Sequence, residues 1–132
     1  EWGKLIMPVA KKNKLYSQLS ENKITHLDAG FRSFEFLLVE NLNKDGEKLY
    51  GLTDFDTGKI FLELLMDEET ARETLLHEIM HVVLELCGLG GSEDDSSNVL
   101  ALLNNEQLTT LVSRGLLTSI NLNNSLYNVL AS

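Results

Sequence analysis

The chain has 132 residues, 43% of them apolar and 23% charged, with a single proline. That is enough apolar material for one modest core and too balanced a mixture for a disordered tail. The net charge of -9 speaks against nonspecific nucleic-acid binding, which needs clustered Lys and Arg to displace phosphate counterions. The single cysteine, Cys87, cannot form an internal disulfide, and no run of about 18 apolar residues exists to span a bilayer.

The opening stretch, EWGKLIMPVAKKNK, lacks the apolar segment and small-residue cleavage site of a secretion signal, so a cytoplasmic protein is expected. Residues 4–10 read as a short strand. Residues 11–20, KKNKLYSQLS, read as a short helix with Leu15 and Leu19 on one side. Its Lys11, Lys12 and Lys14 form the one basic cluster, which reads as a solvated helix face. Residues 21–32 read as a linker, and 1–32 as an N-terminal extension to a single domain covering 1–132.

From residue 33 the texture changes. SFEFLLVENL (33–42) is rich in aromatic and branched residues, as strands are. Asp45-Gly46 is a hairpin signal, LYGLTDF (49–55) a second strand, DTG (56–58) a turn and KIFLELL (59–65) a third strand. These predict a three-stranded antiparallel meander.

The period then switches from two to 3.6. Asp67 or Thr70 can cap a helix start. Thr70 with Glu73 has capping-box spacing, and Asp67, Glu68 and Glu69 suit the positive end of the dipole. The helix is expected to run to about Cys87, with Gly88, Gly90 and Gly91 supplying a left-handed stop. Residues 92–98 read as a polar loop and 99–120 as a helical region with a possible break at Asn104-Asn105. NLNN (121–124) interrupts that region, and a short amphipathic tail follows. The fold class expected is α+β, with the meander packed on the central helix and on a following C-terminal helix.

The central helix carries His77-Glu78-Ile79-Met80-His81, an HExxH pattern. Residues i and i+4 lie one turn apart on one side of a helix, so both imidazoles can bind one Zn²⁺. Glu78 is rotated by roughly 100° from His77, beside the metal and not on it, where it can act as general base toward a water. With three His and 13 Glu in the chain, a chance HExxH has an expectation of roughly half a percent, so the pattern carries weight. The helical wheel draws a core stripe through Leu76, Met80, Val83 and Cys87, with both histidines on its flank and Glu78 further toward the polar side.

A catalytic zinc usually takes three protein ligands and keeps one open position. The extended HExxHxxGxxH pattern is not met, because Leu84 and Cys87 stand where its glycine and third histidine belong. Cys87 is expected to pack in the core. Glu85, one turn past His81, is rotated away, and His26 lies in the unplaced linker. Glu93, Asp94, Asp95 and Glu106 remain as candidate third ligands. Tyr50, Tyr127, His26 and Arg114 are candidates for stabilising an oxyanion.

Three stretches, LYGLTDFDTGKIFLE, ETLLHEIMHVVLELCGLG and NEQLTTLVSRGLL, resemble small HExxH proteins encoded by bacteriophages, minimal gluzincin-like zinc peptidases. The resemblance covers roughly residues 49–122. A more distant similarity is to the ImmA/IrrE-type peptidases. The resemblance implies a zincin-like fold, His77 and His81 as zinc ligands, Glu78 as general base and Glu106 as third ligand. It further implies a protein or peptide substrate and the cytoplasm of a bacterial host. In such a layout the strand before the helix, KIFLE, would be an edge that pairs with an extended peptide. The competing expectation is a catalytically silent, zinc-stabilised module that binds a host or phage protein.

Overall fold

The structure, a computed structural model, describes residues 13–89 and 103–132. The sequence readings for 4–10, for Lys11 and Lys12, and for 90–102 fall outside them. The first described helix, α1 (Lys14–Glu21), starts at Asn13, whose side chain accepts from the Tyr16 N–H. Asn13 also donates to the Met66 carbonyl at 3.0 Å, tying the helix start to the chain just ahead of the central helix.

A four-stranded sheet follows, in the order β1 (His26–Asp28), β2 (Ser33–Val39), β6 (Lys59–Glu63), β5 (Gly51–Asp54). It is not the meander that sequence predicts. β1 and β2 pair antiparallel, β2 and β6 parallel, and β6 and β5 antiparallel. The Asp45-Gly46 turn does form, with φ of 53° and 81°, as a two-residue hairpin of this kind requires. It joins only β3 (Asn43–Lys44) to β4 (Glu47–Lys48), a small separate ribbon in the connection from β2 to β5. The DTG turn joins β5 to β6 as expected, and β6 folds back between β5 and β2.

The reason lies in burial. β6 buries Ile60, Leu62 and Glu63, and such a strand gains most from a partner on each side. Every residue of β5 is only partly buried, as suits an edge. KIFLE is therefore an interior strand, and the expectation of an edge there is corrected: β5 and β1 are the edges.

Alternate residues of β2 are buried and exposed, with Phe34 and Phe36 inward and Ser33 and Glu35 outward. Phe34, Phe36 and Leu62 are wholly buried, each worth about 1.5–3 kcal/mol in removed apolar surface. They share one core with Leu15, Tyr16 and Leu19 of α1 and Leu27 of β1, so residues 13–32 are integral to the domain.

The central helix, α2 (Glu68–Leu86), is capped by Asp67, whose side chain accepts from the Thr70 N–H at 2.8 Å. It ends at Cys87, where Gly88 (φ 77°) turns left-handed and Leu89 N–H bonds back to the Leu84 carbonyl. α3 (Asn105–Leu122) begins at a capping box between Asn104 and Gln107, so the break allowed at Asn104 is a helix start. Asn123 ends α3, and α4 (Asn124–Ala131) packs back on α1. The Asn123 side chain takes both main-chain groups of Asp28, accepting from its N–H at 2.7 Å and donating to its carbonyl at 2.8 Å. Among the described residues, no helix is long and apolar enough to cross a membrane.

Candidate metal centre

α2 buries Ala71, Leu75, Glu78, Ile79, Val82 and Val83. The stripe drawn from sequence through Leu76 and Met80 is corrected, since Leu76 is 45% exposed. α2 carries apolar residues on two sides. One side meets the sheet and α1. The other meets α3, where Cys87 packs against Gly115 and donates to the Leu111 carbonyl at 3.1 Å. A wheel with two apolar sides has no single best axis, which explains the misplaced stripe.

The rotation has a chemical result. Glu78 is not on the polar side but is 5% exposed, against the edge strand β5. Gly51 and Thr53 stand in register with Leu62 and Ile60, on the face of the sheet that the helices cover. Thr53 Oγ1 donates to Glu78 Oε1 at 2.8 Å. Gly51 leaves room for this approach: a Cβ there would stand 2.7 Å from Thr74 Cγ2 and 3.0 Å from Glu78 Cγ. Sequence reasoning missed both residues. The available signal was a glycine inside a strand pattern, which often marks a close approach of another segment.

His77 and His81 emerge on the solvent side of the same helix, the His77 side chain being 68% exposed. Their Nε2 atoms converge to 3.2 Å, with the rings edge to face at 83°. Two ligand nitrogens bound to one tetrahedral zinc at 2.0–2.1 Å would stand about 3.3 Å apart, so the pair fits that ion. The same separation suits a hydrogen bond between two neutral rings. Exposed rings gain little from one another, however, because water satisfies each of them. Glu78 Oε2, the oxygen that Thr53 leaves free, lies 4.0 Å from His77 Nε2. His77, Glu78 and His81 form a group with all ligand atoms within 4.8 Å of one another.

Glu106 stands in the exposed first turn of α3 and is not brought into this group. Glu93, Asp94 and Asp95 lie outside the described residues. Glu85 stays apart as well, half-buried with Oε2 lacking a hydrogen-bond partner. Cys87 is packed as expected, and burial raises its thiol pKa. Of the four oxyanion candidates, Tyr50 alone lines the cleft beside the histidines, a space of about 330 Å³ walled by Tyr50, Gly51, Glu73, Thr74, His77 and Glu78. Tyr127 is engaged with Ser119 at 2.7 Å, His26 at the start of β1 with the preceding Thr25, and Arg114 lines a separate pocket beside Cys87.

Comparison with known protein families, with curated proteins and with solved structures finds no match.

Proposed function

We propose that the protein is a zinc-dependent peptidase of zincin-like layout in which His77 and His81 hold the metal. The observation that carries this reading is the convergence of the two imidazoles at 3.2 Å beside a buried carboxylate whose other oxygen is already fixed by Thr53. A bound zinc supplies Lewis acidity, polarising a carbonyl and acidifying water. Glu78 is held so that Oε2 faces the imidazole pair, where it takes a proton from water and returns it to the leaving amine. β5, an edge strand against the same helix, offers main-chain groups to an extended peptide. Glu106 enters as the acid that the family pattern would add to the ligand set.

The silent, zinc-stabilised module is less well supported. The group the structure brings together, His77, Glu78 and His81, lies on one helix and by itself cross-links no distant segments, and the core is closed without a metal. A metal there adds chemistry more readily than stability.

Metal analysis and a paired variant test the proposal. The protein should hold about one zinc per chain, and His77→Ala should lose it. Glu78→Gln should keep zinc and lose peptide hydrolysis. Absence of zinc binding, or cleavage unaffected in Glu78→Gln, overturns the reading. Zinc titration of Glu106→Ala measures that residue separately: as a ligand it should cost more than the roughly 10–100-fold typical of outer-shell partners.

A further inference from the structure

The cleft beside the histidines carries a chemical bias of its own. Glu73 lies one helical turn before His77, and both line the space that Tyr50 closes from the β5 side. Tyr50 is 56% exposed. Among the described residues, neither its hydroxyl nor the Glu73 carboxylate has a hydrogen-bond or ion-pair partner. The neighbouring cation is committed elsewhere: Arg72 bonds Glu68, Gln18 and the carbonyls of Val129 and Leu130. The charged groups lining the cleft are thus the carboxylates of Glu73 and Glu78, with His77 beside them and no Lys or Arg. A long aliphatic stem ending in a cation suits such a space. The stem would lie along the phenol ring and the cation would meet Glu73. The net charge of -9 draws cationic ligands toward the same surface.

We propose that the space between Tyr50 and Glu73 is a subsite for a lysine or arginine side chain of the peptide paired with β5, so that cleavage falls beside a basic residue. This rests on the peptidase reading. Glu73 is a specificity-determining residue in it and takes no part in proton transfer.

The test uses fluorogenic peptides identical except for one position occupied by Lys, Arg, Gln or Glu. Wild type should cleave the basic peptides about fivefold faster than the Gln peptide, the factor a solvent-exposed ion pair supports. Raised salt should shrink that ratio. Glu73→Gln should bring it near unity, and Glu73→Lys should invert it toward the Glu peptide. Asp45→Asn, which removes one negative charge from the β3–β4 turn, should leave the ratio unchanged. Equal rates in wild type, or a ratio indifferent to Glu73, overturns the subsite.

A binding arm separates this inference from the reading beneath it. Fluorescein-labelled Lys and Gln peptides are titrated against the Glu78→Gln protein, with and without Glu73→Gln. Glu73-dependent preference for the Lys peptide in this arm, together with a wild type that cleaves none of the peptides, keeps the subsite and removes the peptidase. Cleavage without basic preference does the reverse. Neither cleavage nor preferential binding removes both.

Discussion

Thr53 Oγ1 donates to Glu78 Oε1 at 2.8 Å, joining the edge strand to the helix that carries both histidines. The bond takes one oxygen of a buried carboxylate and leaves the other, Oε2, facing His77. A residue on β5 therefore sets the orientation of the group proposed to move protons.

Thr53→Val keeps the shape and removes the donor. A hydrogen bond to a charged group is worth about 1.5–3 kcal/mol, so peptide hydrolysis should fall roughly ten- to a hundredfold through kcat. Zinc affinity should hold, since neither imidazole is touched. Turnover measured beside a zinc competition titration checks this. Equal loss of zinc and activity would show that Thr53 supports the metal and not Glu78.

Gly51→Ala places a methyl group 2.7 Å from Thr74 Cγ2. Overpacking of this kind costs about 1–3 kcal/mol. The urea midpoint should drop accordingly, and β5 should lift from α2. Thr74→Ser removes the clashing methyl, so the double variant should recover most of the loss. A double variant no better than Gly51→Ala would place the strain elsewhere.

Glu63 links distant parts of the chain. Its carboxylate accepts from Leu42 N–H at 2.9 Å and Leu65 N–H at 3.0 Å, and its carbonyl accepts from the Tyr16 hydroxyl at 2.6 Å. Burial works to raise its pKa, but the main-chain donors at Leu65, Leu42 and Asn41 outweigh it and the net shift is downward. A carboxyl depressed in the folded state stabilises above its unfolded pKa, and that contribution is lost as pH falls through the folded value. Glu63→Gln should therefore be less stable than wild type at pH 7, by about 1–3 kcal/mol. The gap should narrow as pH drops below the ordinary carboxylate range of about 4.3. Urea unfolding across pH 7 to 3 follows it, and a constant gap would remove the assigned cause.

Arg72 holds the C-terminal helix. It donates to the Val129 carbonyl at 2.8 Å and the Leu130 carbonyl at 3.0 Å. Arg72→Ala should release α4 from α1 and α2 before the rest of the domain opens, at a cost of about 1.5–3 kcal/mol. Hydrogen exchange should then quicken in residues 124–131 while β2 and β6 stay protected. Uniform exchange across the chain would show that α4 is not a separable unit.

The parts legible in the sequence were local. The HExxH helix, its Asp67 cap, its glycine stop, the Asp45-Gly46 and DTG turns and the tail after Asn123 are all set by residues within a few positions of one another. Strand order was not legible, because β6 lies between β2 and β5 and pairs with a strand more than twenty residues away. Nothing in KIFLE distinguishes a parallel partner from an antiparallel one. Glu78 was misplaced for the same reason as the stripe: α2 is apolar on two sides, and only the position of β5 decides which neighbour becomes buried. Gly51 and Thr53 acquire meaning only once that strand lies on that helix.

Asn123, spanning both main-chain groups of Asp28, has a consequence for stoichiometry. It occupies the main-chain groups that Asp28 would offer at the β1 border, so among the described residues β5 is the border more open to a foreign or sister strand. Two copies meeting there would saturate one another and leave no growing end. Self-association through the sheet would thus halt at a pair and not run on into a filament.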